Sequence, residues 1–585
     1  MNNPFTPNKV LRKRRTPIER YFEFIDTKRP SDKLVFYGFL LVALISAAFL
    51  LFNLNAAHSV IIPTNGGELR EGIVGSPRFV NPVLAITRAD QDMVALVFDG
   101  LMTVNEAGEL VPEIAESVTV SSDALVYNVV LKQDIRFHDG HTLTADDVMF
   151  TIELIQNPSL KSPLQGNFDG VLVEKLGEYE LNFVLQEPYT PFIENLTVGI
   201  LPRHLWEDLS IDQIPFSQHN TEPIGSGPYL ITGERRNSSG LISGYTLTAF
   251  TSAHHSPKIE TMEVSFFPNE PRLVEALKTG RVDSATGITS NTDAILGSRG
   301  DLKVIETPLP RTFGLFFNQN RSPVLRRSEV REVLELAIDR DTLVKEALSG
   351  AGIAIDTPTP PNFITDTAAT SDETVSSTTR TPAAILSANG WSQNSDGIWS
   401  REIDGAETEL SVDIATANLP FLAETAAYLE RVWSDMGVRV SVRQFEQTDL
   451  TQAVIRTRDY EALLFGTAIG RNLDFYPFWH SSQRNDPGLN VALYANIAAD
   501  TALENARTST STEARDEALA SFLSEFKEDR PAIFLYVPTV LAIAPEELMR
   551  DPVERLTDLS ERFANIEAWH IRTESVWPVF SDRNE

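Results

Sequence analysis

One uninterrupted apolar run sets the first limit on how this chain can fold. Residues 34–52, LVFYGFLLVALISAAFLLF, are 19 positions without a formal charge. A helix of that length spans about 28 Å, close to the hydrocarbon thickness of a bilayer. We therefore expect residues 34–52 to form a transmembrane helix rather than part of a globular core.

The charges on either side of this run predict its orientation. Residues 1–33 carry nine Lys and Arg against four acids, and no Lys or Arg occurs in 53–69. Because positive flanks stay on the cytoplasmic side, residues 1–33 are expected to be a cytoplasmic basic head. Residues 53–66 would then be a polar linker to an extracytoplasmic body, held at the cell membrane by a single pass. The alternative is a cleaved signal peptide, with Asn55-Ala56-Ala57 as its cleavage site.

Size, charge and cysteine content narrow the class of protein. The chain has 585 residues, of which 42% are hydrophobic and 22% charged, enough for about three or four domain-sized cores. Beyond residue 33 the chain has 41 basic and 77 acidic residues, so it would repel a phosphate backbone and we expect no nucleic-acid binding. With no cysteine, the chain has no disulfide, no thiolate metal site and no lipid-modified cysteine.

Residues 136–157, RFHDGHTLTADDVMFTIELIQN, predict a turn followed by a helix. Thr144 and Asp147 have the spacing of a capping box, and the alternating residues 125–131 before the turn predict a strand. Apolar residues at helical spacing then supply a buried face, Val148, Ile152 and Ile155.

The rest of the body predicts a mixed α/β protein without internal repeats. Residues 329–348 have the apolar spacing of two helices, the second capped by Asp341, and a helix ending near Gly437 precedes an alternating strand. Residues 357–382, rich in Thr, Ser, Pro and Asp, are expected to form a long surface loop. Further strands are predicted at 180–185, 245–250, 262–267 and 313–318.

Several of these blocks, taken in order, resemble the family 5 extracytoplasmic solute-binding proteins, the receptors of peptide ABC importers. The resemblance extends from about residue 67 to 545. It is carried by VFDGLMTVNEAGELVPEIAESVTVSSDALVYNVVLKQDIRFHDGHTLTADDVMF (97–150), EPIGSGPYLI (222–231), LFFNQNRSPVLRRSEVREVLELAIDRDTLVKEALSGAG (315–352), AAILSANGWSQNSDGIW (383–399), the helix–strand unit at 421–445 and DRPAIFLYVP (529–538).

The resemblance implies an α/β fold of the type II (cluster C) periplasmic-binding-protein kind. Two α/β lobes would close on a ligand by a hinge near residues 310 and 530. By position, lobe I would comprise 67–94, 178–310 and 530–585, the inserted domain 95–177, and lobe II 311–529.

The resemblance also implies where the ligand lies. In peptide-binding members the ligand backbone adds to two protein segments like a strand. By position, one segment falls on Arg88, Ala89 and Asp90, and the other on Phe465, Gly466, Thr467 and Ala468.

Ala468 departs from the family pattern, because the family has there an aspartate that binds the ammonium of the ligand. A buried ammonium without a counter-charge costs several kcal/mol, so Ala468 does not support recognition of a free amino terminus. Either Asp90 or Asp474 replaces the missing acid, or the ligand lacks that group.

The sequence contains no complete catalytic or metal-binding motif. The histidines His138, His141, His254, His255 and His480 have no ligand partners at metal-binding spacing, so we expect no metal and no cofactor. The segment 225–229, GSGPY, lacks the context of a nucleophile elbow, and the absence of a P-loop assigns ATP hydrolysis to a separate subunit.

We therefore expect a monomeric, membrane-anchored receptor without enzymatic activity. It would deliver peptides or a similar small polar solute to the permease of an ABC importer. The alternatives are a ligand sensor or assembly protein that reuses the fold, and a secreted hydrolase.

Overall fold

The structure is a computed structural model that describes residues 16, 24, 27–252, 254–288, 292–309, 311–361 and 381–577. Its strands are β1 (Val60–Thr64), β2 (Glu68–Val74), β3 (Met102–Val104), β4 (Leu110–Pro112), β5 (Ala115–Val120), β6 (Val126–Leu131), β7 (Leu172–Gly177), β8 (Glu180–Val184), β9 (Tyr229–Arg236), β10 (Ile242–Ala249), β11 (Thr261–Phe267), β12 (Ser284–Ile288), β13 (Leu302–Pro308), β14 (Arg311–Phe317), β15 (Gly352–Ala354), β16 (Ser392–Gln393), β17 (Trp399–Ile403), β18 (Ala406–Glu409), β19 (Ser411–Ala417), β20 (Arg439–Phe445), β21 (Ala462–Ala468), β22 (Ala532–Pro545) and β23 (Arg572–Val576).

Helices occur in both halves of the body. They are α1 (Pro30–His58), α2 (Arg88–Val97), α3 (Ala145–Gln156), α4 (Gln165–Phe168), α5 (Arg203–Trp206), α6 (Glu270–Lys278), α7 (Thr292–Leu296), α8 (Ser328–Leu336), α9 (Arg340–Ala347), α10 (Pro382–Ala388), α11 (Pro420–Asp435), α12 (Gln447–Asp449), α13 (Tyr476–Trp479), α14 (Ile497–Thr508) and α15 (Thr512–Asp529), together with short 3₁₀ turns that include Thr190–Thr197 and Leu559–Phe563.

The chain divides into two units, and the smaller is built from both ends of the chain. It comprises Met1–Thr64 and Arg572–Glu585. Helix α1 contains the apolar stretch Pro30–Asn53, whose 24 residues are long and apolar enough to cross a bilayer. Strands β1 and β23 pair antiparallel from Val60 opposite Val576 to Thr64 opposite Arg572.

The larger unit, Asn65–Ile571, contains a 12-stranded mixed sheet. Its strand order is β20-β19-β21-β14-β22-β12-β2-β11-β10-β9, with β13 and β15 also on β22. Helices pack against this sheet and bury its strands, as in other α/β folds.

Strand β22 is shared by the two halves of this sheet. Its first part, up to Pro538, pairs with β14 and β15, and its second part, from Thr539, pairs with β12 and β13. Residues Ala532 to Tyr536 lie in the lobe II core, whereas Ala544 lies in the lobe I core. The change of partner strands therefore lies inside β22 near Pro538, a few residues beyond the crossover that the sequence predicted near residue 530.

The inserted domain is built on an antiparallel sheet of order β5-β6-β8-β7. Helix α3 begins with the predicted capping box, in which the backbone N–H of Thr144 donates to Asp147 (2.9 Å). Val148, Ile152 and Ile155 are buried, as their spacing predicted. Because β8 pairs with both β6 and β7, the sheet extends beyond residue 177, which the sequence set as the boundary.

Three other predictions are wrong in detail. Residues 53–66 are not a linker, since α1 continues to His58 and β1 follows it. Helix α9 is capped by Asp339, whose side chain accepts from Thr342 N (3.1 Å), and not by Asp341. Residues 572–576 pair with β1 and not within lobe I. Of the predicted loop 357–382, residues 362–380 lie outside the described residues.

Candidate functional site

Strand β21 presents a free edge in lobe II. On one side β21 pairs with β14 along its whole length, from Ala462 opposite Phe317 to Ala468 opposite Arg311. On the other side β19 pairs only as far as Thr416 opposite Leu464, because the chain then turns toward β20. In the part of the chain that the structure describes, no strand covers this outer edge from Phe465 to Ala468.

Gly466 and Thr467 hold the end of β21 against its neighbour β14. A Cβ on Gly466 would lie 2.7 Å from the ring of Phe313, so only glycine fits there. Thr467 is buried and shares a hydrogen bond of 2.9 Å with Thr312, whereas Ala468 is exposed. The backbone edge beside Ala468 is therefore unpaired among the described residues.

The first predicted segment is helical and not extended. Arg88, Ala89 and Asp90 form the first turn of α2, and Ala89 is buried. Asp90 is 1% exposed, and its carboxylate accepts from the backbone N–H groups of Thr87 (3.1 Å), Arg78 (2.7 Å) and Phe79 (2.8 Å). The carboxylate therefore caps α2 through Thr87 and holds the segment at Arg78 and Phe79.

Arg88 belongs to a buried ion cluster of lobe I. Its Nε lies 3.5 Å from Asp92, whose carboxylate pairs with the buried Arg562. Burial and the neighbouring Arg562 lower the pKa of Arg88. The cluster accounts for Arg88 without a ligand.

Asp474, the other acid considered as a replacement, is also engaged. Its Oδ1 accepts from Tyr476 N (3.2 Å), and its Oδ2 lies 3.5 Å from Arg507 Nε. Burial raises the pKa of Asp474, although Arg507 opposes that shift. Its buried Oδ2 forms no hydrogen bond to any described residue, so the contacts within lobe II satisfy Asp474 only in part.

Arg471 connects the two lobes and was not found from the sequence. Its guanidinium is 7% exposed and donates to both carboxylate oxygens of Glu561 at 2.8 Å each. It also donates to the carbonyl oxygens of Gly108 and of Arg555. Since three residues span at most about 11 Å, Ala468 lies close to this contact between the lobes.

Two further contacts join lobe II to the turn Thr190–Thr197. The carboxylate of Glu194 accepts from the backbone N–H of Asn472, and Thr190 Oγ1 donates to the Arg507 carbonyl oxygen (2.9 Å). Burial raises the pKa of Glu194, although Asn472 and Arg471 oppose the shift. The sequence carried no signal for these pairs, because their members are far apart in the chain.

A cavity of about 700 Å³ lies in lobe I and the inserted domain. This volume is within the range of small-ligand sites. Its wall includes Glu561, the partner of Arg471, and contains no Lys or Arg among the described residues. The carboxylates on the wall are Asp99, Glu113, Asp558, Glu561 and Glu567.

A histidine on this wall is held between two acids. His255 Nε2 lies 3.0 Å from Asp99 Oδ2, and its Nδ1 contacts Glu567. Burial disfavours a charged imidazole, but the two carboxylates outweigh it and raise the pKa of His255 to about 10. Burial likewise disfavours a charged Asp99, yet His255 lowers the pKa of that carboxyl.

No nucleophile–base pair forms at the GSGPY turn. Ser226 is 1% exposed, and its hydroxyl accepts from Asp99 N (3.3 Å). His255 contacts the backbone oxygen of Ser226 (3.0 Å) and not its hydroxyl. Among the described residues of this turn, the contacts of Ser226 hold the backbone in place.

Two α/β lobes that share a strand, and meet beside a free strand edge, define a two-lobed solute-binding protein. The sequence model "Bacterial extracellular solute-binding proteins, family 5 Middle" matches residues 109–488. The chain belongs to this family, as its motifs predicted.

Relatives match along most of the chain. The oligopeptide-binding protein AppA of Bacillus subtilis (strain 168) is 25% identical over 528 residues, which cover 88% of this chain and 94% of AppA. The di/tripeptide-binding protein 3 of Pseudomonas aeruginosa (strain UCBPP-PA14) is 22% identical, with 78% and 87% covered.

Solved structures confirm the predicted fold. The structure of AppA from Bacillus subtilis in complex with a nonapeptide matches with a TM-score of 0.62 and 24% identity, covering 87% of this chain and all of that chain. The unliganded open form of MppA, a periplasmic murein tripeptide-binding protein, matches with a TM-score of 0.70 and 17% identity, covering 88% and 99%. The body is thus a mixed α/β, type II periplasmic-binding-protein fold.

Proposed function

We propose that this protein is the receptor of an ABC importer, and that it binds peptides or a similar small polar solute between its lobes. Permease and ATPase would be separate subunits, and the receptor would act as a monomer that releases its ligand unchanged. The observation that carries the proposal is the free edge of β21 from Phe465 to Ala468.

An extended peptide fits such an edge for a physical reason. Backbone N–H and C=O groups on an uncovered strand edge need partners, and a ligand strand supplies them without using its side chains. Membership in a solute-binding family and relatives named for oligopeptides and for di- and tripeptides support this choice. The segment from Arg88 to Asp90, being helical, would contribute only through neighbouring side chains.

The ligand is proposed not to need a free amino terminus. Ala468 carries no charge, the Asp90 carboxylate accepts backbone hydrogen bonds, and Asp474 is paired with Arg507. A buried ammonium beside Ala468 would therefore lack a counter-charge.

A ligand screen tests both parts of the proposal. The full chain in detergent would be mixed with peptides of two to nine residues, each with a free and with an acetylated amino terminus. Binding raises the melting temperature by mass action, and we expect acetylated peptides to bind at least as tightly as free ones. Mass spectrometry of the recovered peptides should find them intact. If no peptide binds, or if the recovered peptides are cleaved, the proposed receptor function is wrong. A strong preference for free amino termini would contradict only the interpretation of Ala468.

We also propose that α1 is retained and anchors the body outside the cytoplasmic membrane. Its apolar length and the basic residues before it support this topology. Protease added to intact spheroplasts should digest the body and leave the head protected. Recovery of mature protein beginning after residue 57 would identify a cleaved signal peptide instead.

A further inference from the structure

Titratable side chains from four distant parts of the chain meet beside the cavity. Asp99 follows α2, Glu113 follows β4, His254 and His255 lie between β10 and β11, and Glu567 lies near the end of the larger unit. The ligand atoms of Asp99, His254 and His255 all lie within 4.8 Å of one another. The fold therefore assembles a cluster that no local spacing revealed.

The ligand atoms of Asp99, His254 and His255 converge closely enough to surround one metal ion. Two ligand atoms on one tetrahedral zinc ion lie about 3.4 Å apart, and His255 Nε2 is 3.0 Å from Asp99 Oδ2. Glu113 Oε1 lies 2.6 Å from His254 Nε2, yet this buried nitrogen forms no hydrogen bond of acceptable geometry. His254 thus keeps a nitrogen available for coordination.

The net negative charge of this cluster favours a bound cation. Three carboxylates face two imidazoles, and no Lys or Arg in the described ranges forms an ion pair with these carboxylates. The side chains of Asp99 and His255 are only 7% and 4% exposed, so water screens little of the excess negative charge. A divalent ion would neutralise it.

The ligand atoms that the cluster offers indicate which class of ion it would bind. Imidazole nitrogens combined with carboxylate oxygens suit zinc and related transition metals, whereas calcium and magnesium prefer oxygen ligands. Glu567 contacts His255 Nδ1 and leaves Nε2 toward Asp99, which is the orientation that an outer carboxylate gives to a metal-binding histidine. Glu113, Asp99 and His255 line the cavity of about 700 Å³, which provides an entry path.

We propose that Asp99, His254 and His255 bind one divalent transition-metal ion of the zinc class. Glu567 is a positioning residue that acts through His255, and Glu113 contacts His254 at the edge of the site. The ion joins the loop before β11 to the segment after α2, and so stabilises the fold there independently of any solute.

A second cluster, Asp139, His141 and His204, supplies the matched control. Its ligand atoms also converge, but the side chain of His141 is 61% exposed and Asp139 accepts hydrogen bonds from both of its neighbours. Hydrogen bonding at an exposed turn explains this cluster without an ion.

The test uses the full chain in detergent, stripped with a chelator and titrated with zinc chloride. Elemental analysis after dialysis should find one zinc per chain, and zinc should raise the melting temperature. H254Q should lose stoichiometric zinc, and zinc should not raise its melting temperature above its own metal-free value. E567Q should keep the site but bind zinc about 10- to 100-fold more weakly. H141Q should behave as wild type.

Three results would overturn the proposal. They are a wild-type chain that retains no zinc, an H254Q variant that retains as much zinc as wild type, and a loss of zinc in H141Q but not in H254Q. The first would leave His255 as a protonated imidazole between two acids, and the last would place the ion at the exposed cluster. None of these outcomes bears on peptide binding.

Discussion

Arg471 and Glu561, 90 residues apart in the chain, form an ion pair across the two lobes, in which Arg471 Nη2 donates to both carboxylate oxygens at 2.8 Å. Glu561 also accepts from the backbone N–H and the hydroxyl of Thr557 at 2.6 Å each, so its orientation is fixed within lobe I. Arg471 follows the free strand edge by three residues. The same short segment of lobe II therefore carries both the proposed ligand contact and the contact to lobe I.

Replacing Arg471 should weaken closure of the lobes. R471A leaves the Glu561 carboxylate without its cationic partner, at a cost of about 2 kcal/mol after allowance for its partial exposure, or roughly thirtyfold in the closing equilibrium. We expect a larger radius of gyration in small-angle X-ray scattering and a correspondingly higher peptide Kd. The exposed Arg326 provides the control, R326A. Wild-type scattering and affinity in R471A would show that this pair does not hold the lobes together.

Restoring an acid at residue 468 should change ligand preference. A468D places a carboxylate at an exposed position of the free edge, where it can pair with a ligand ammonium. The ratio of Kd values for acetylated and free peptides, measured by calorimetry, should rise by about tenfold or more. A468N has the same shape without the charge and should keep the wild-type ratio. If A468D and A468N behave alike, the ligand amino terminus is bound elsewhere.

The buried hydroxyl pair of Thr312 and Thr467 should show non-additive stability. Each of these side chains has the other as its hydrogen-bond partner, at 2.9 Å. T467V leaves the Thr312 hydroxyl unsatisfied and should lower the free energy of unfolding by about 1–2 kcal/mol. The double variant T312V/T467V removes both polar groups and should recover much of that loss in urea unfolding. If the losses in free energy of unfolding of the two single variants simply add in the double variant, the two hydroxyl groups do not form this hydrogen bond.

Glu194 should make stability depend on pH in a defined direction. Because burial raises the pKa of Glu194, the folded protein holds a proton there more readily than the unfolded chain does. Its contribution to stability therefore falls as pH rises from the ordinary glutamate pKa of about 4.3 to the raised value, and stays low above it. E194Q removes this dependence, so its stability relative to wild type should increase from about pH 4 to about pH 7.

Urea unfolding at both pH values measures this difference. The exposed Glu187 offers the control, E187Q, whose stability relative to wild type should change little over that range. A relative stability of E194Q that falls with rising pH would mean that the backbone N–H of Asn472 and its neighbours stabilise the carboxylate more than burial destabilises it.

The sequence predicted elements whose signals are local. The capping box of Thr144 and Asp147 and the apolar spacing of α11 were readable because the interacting residues are three or four positions apart. The same logic failed at α9, where Asp339 and Asp341 are both suitable caps and only the geometry of the turn selects Asp339. The sequence also did not indicate that residues 88–90 begin a helix.

By itself, the sequence determined the apolar helix, the α/β class and the family, since periodicity, charge and ordered motifs are properties of neighbouring residues. Only the tertiary structure decided that β22 is shared by both lobes, that Arg471 meets Glu561, and that Glu113 and Glu567 approach His254 and His255. These contacts join residues about 90 to more than 300 positions apart. Their geometry depends on how whole sheets pack, and no local pattern of residues encodes it.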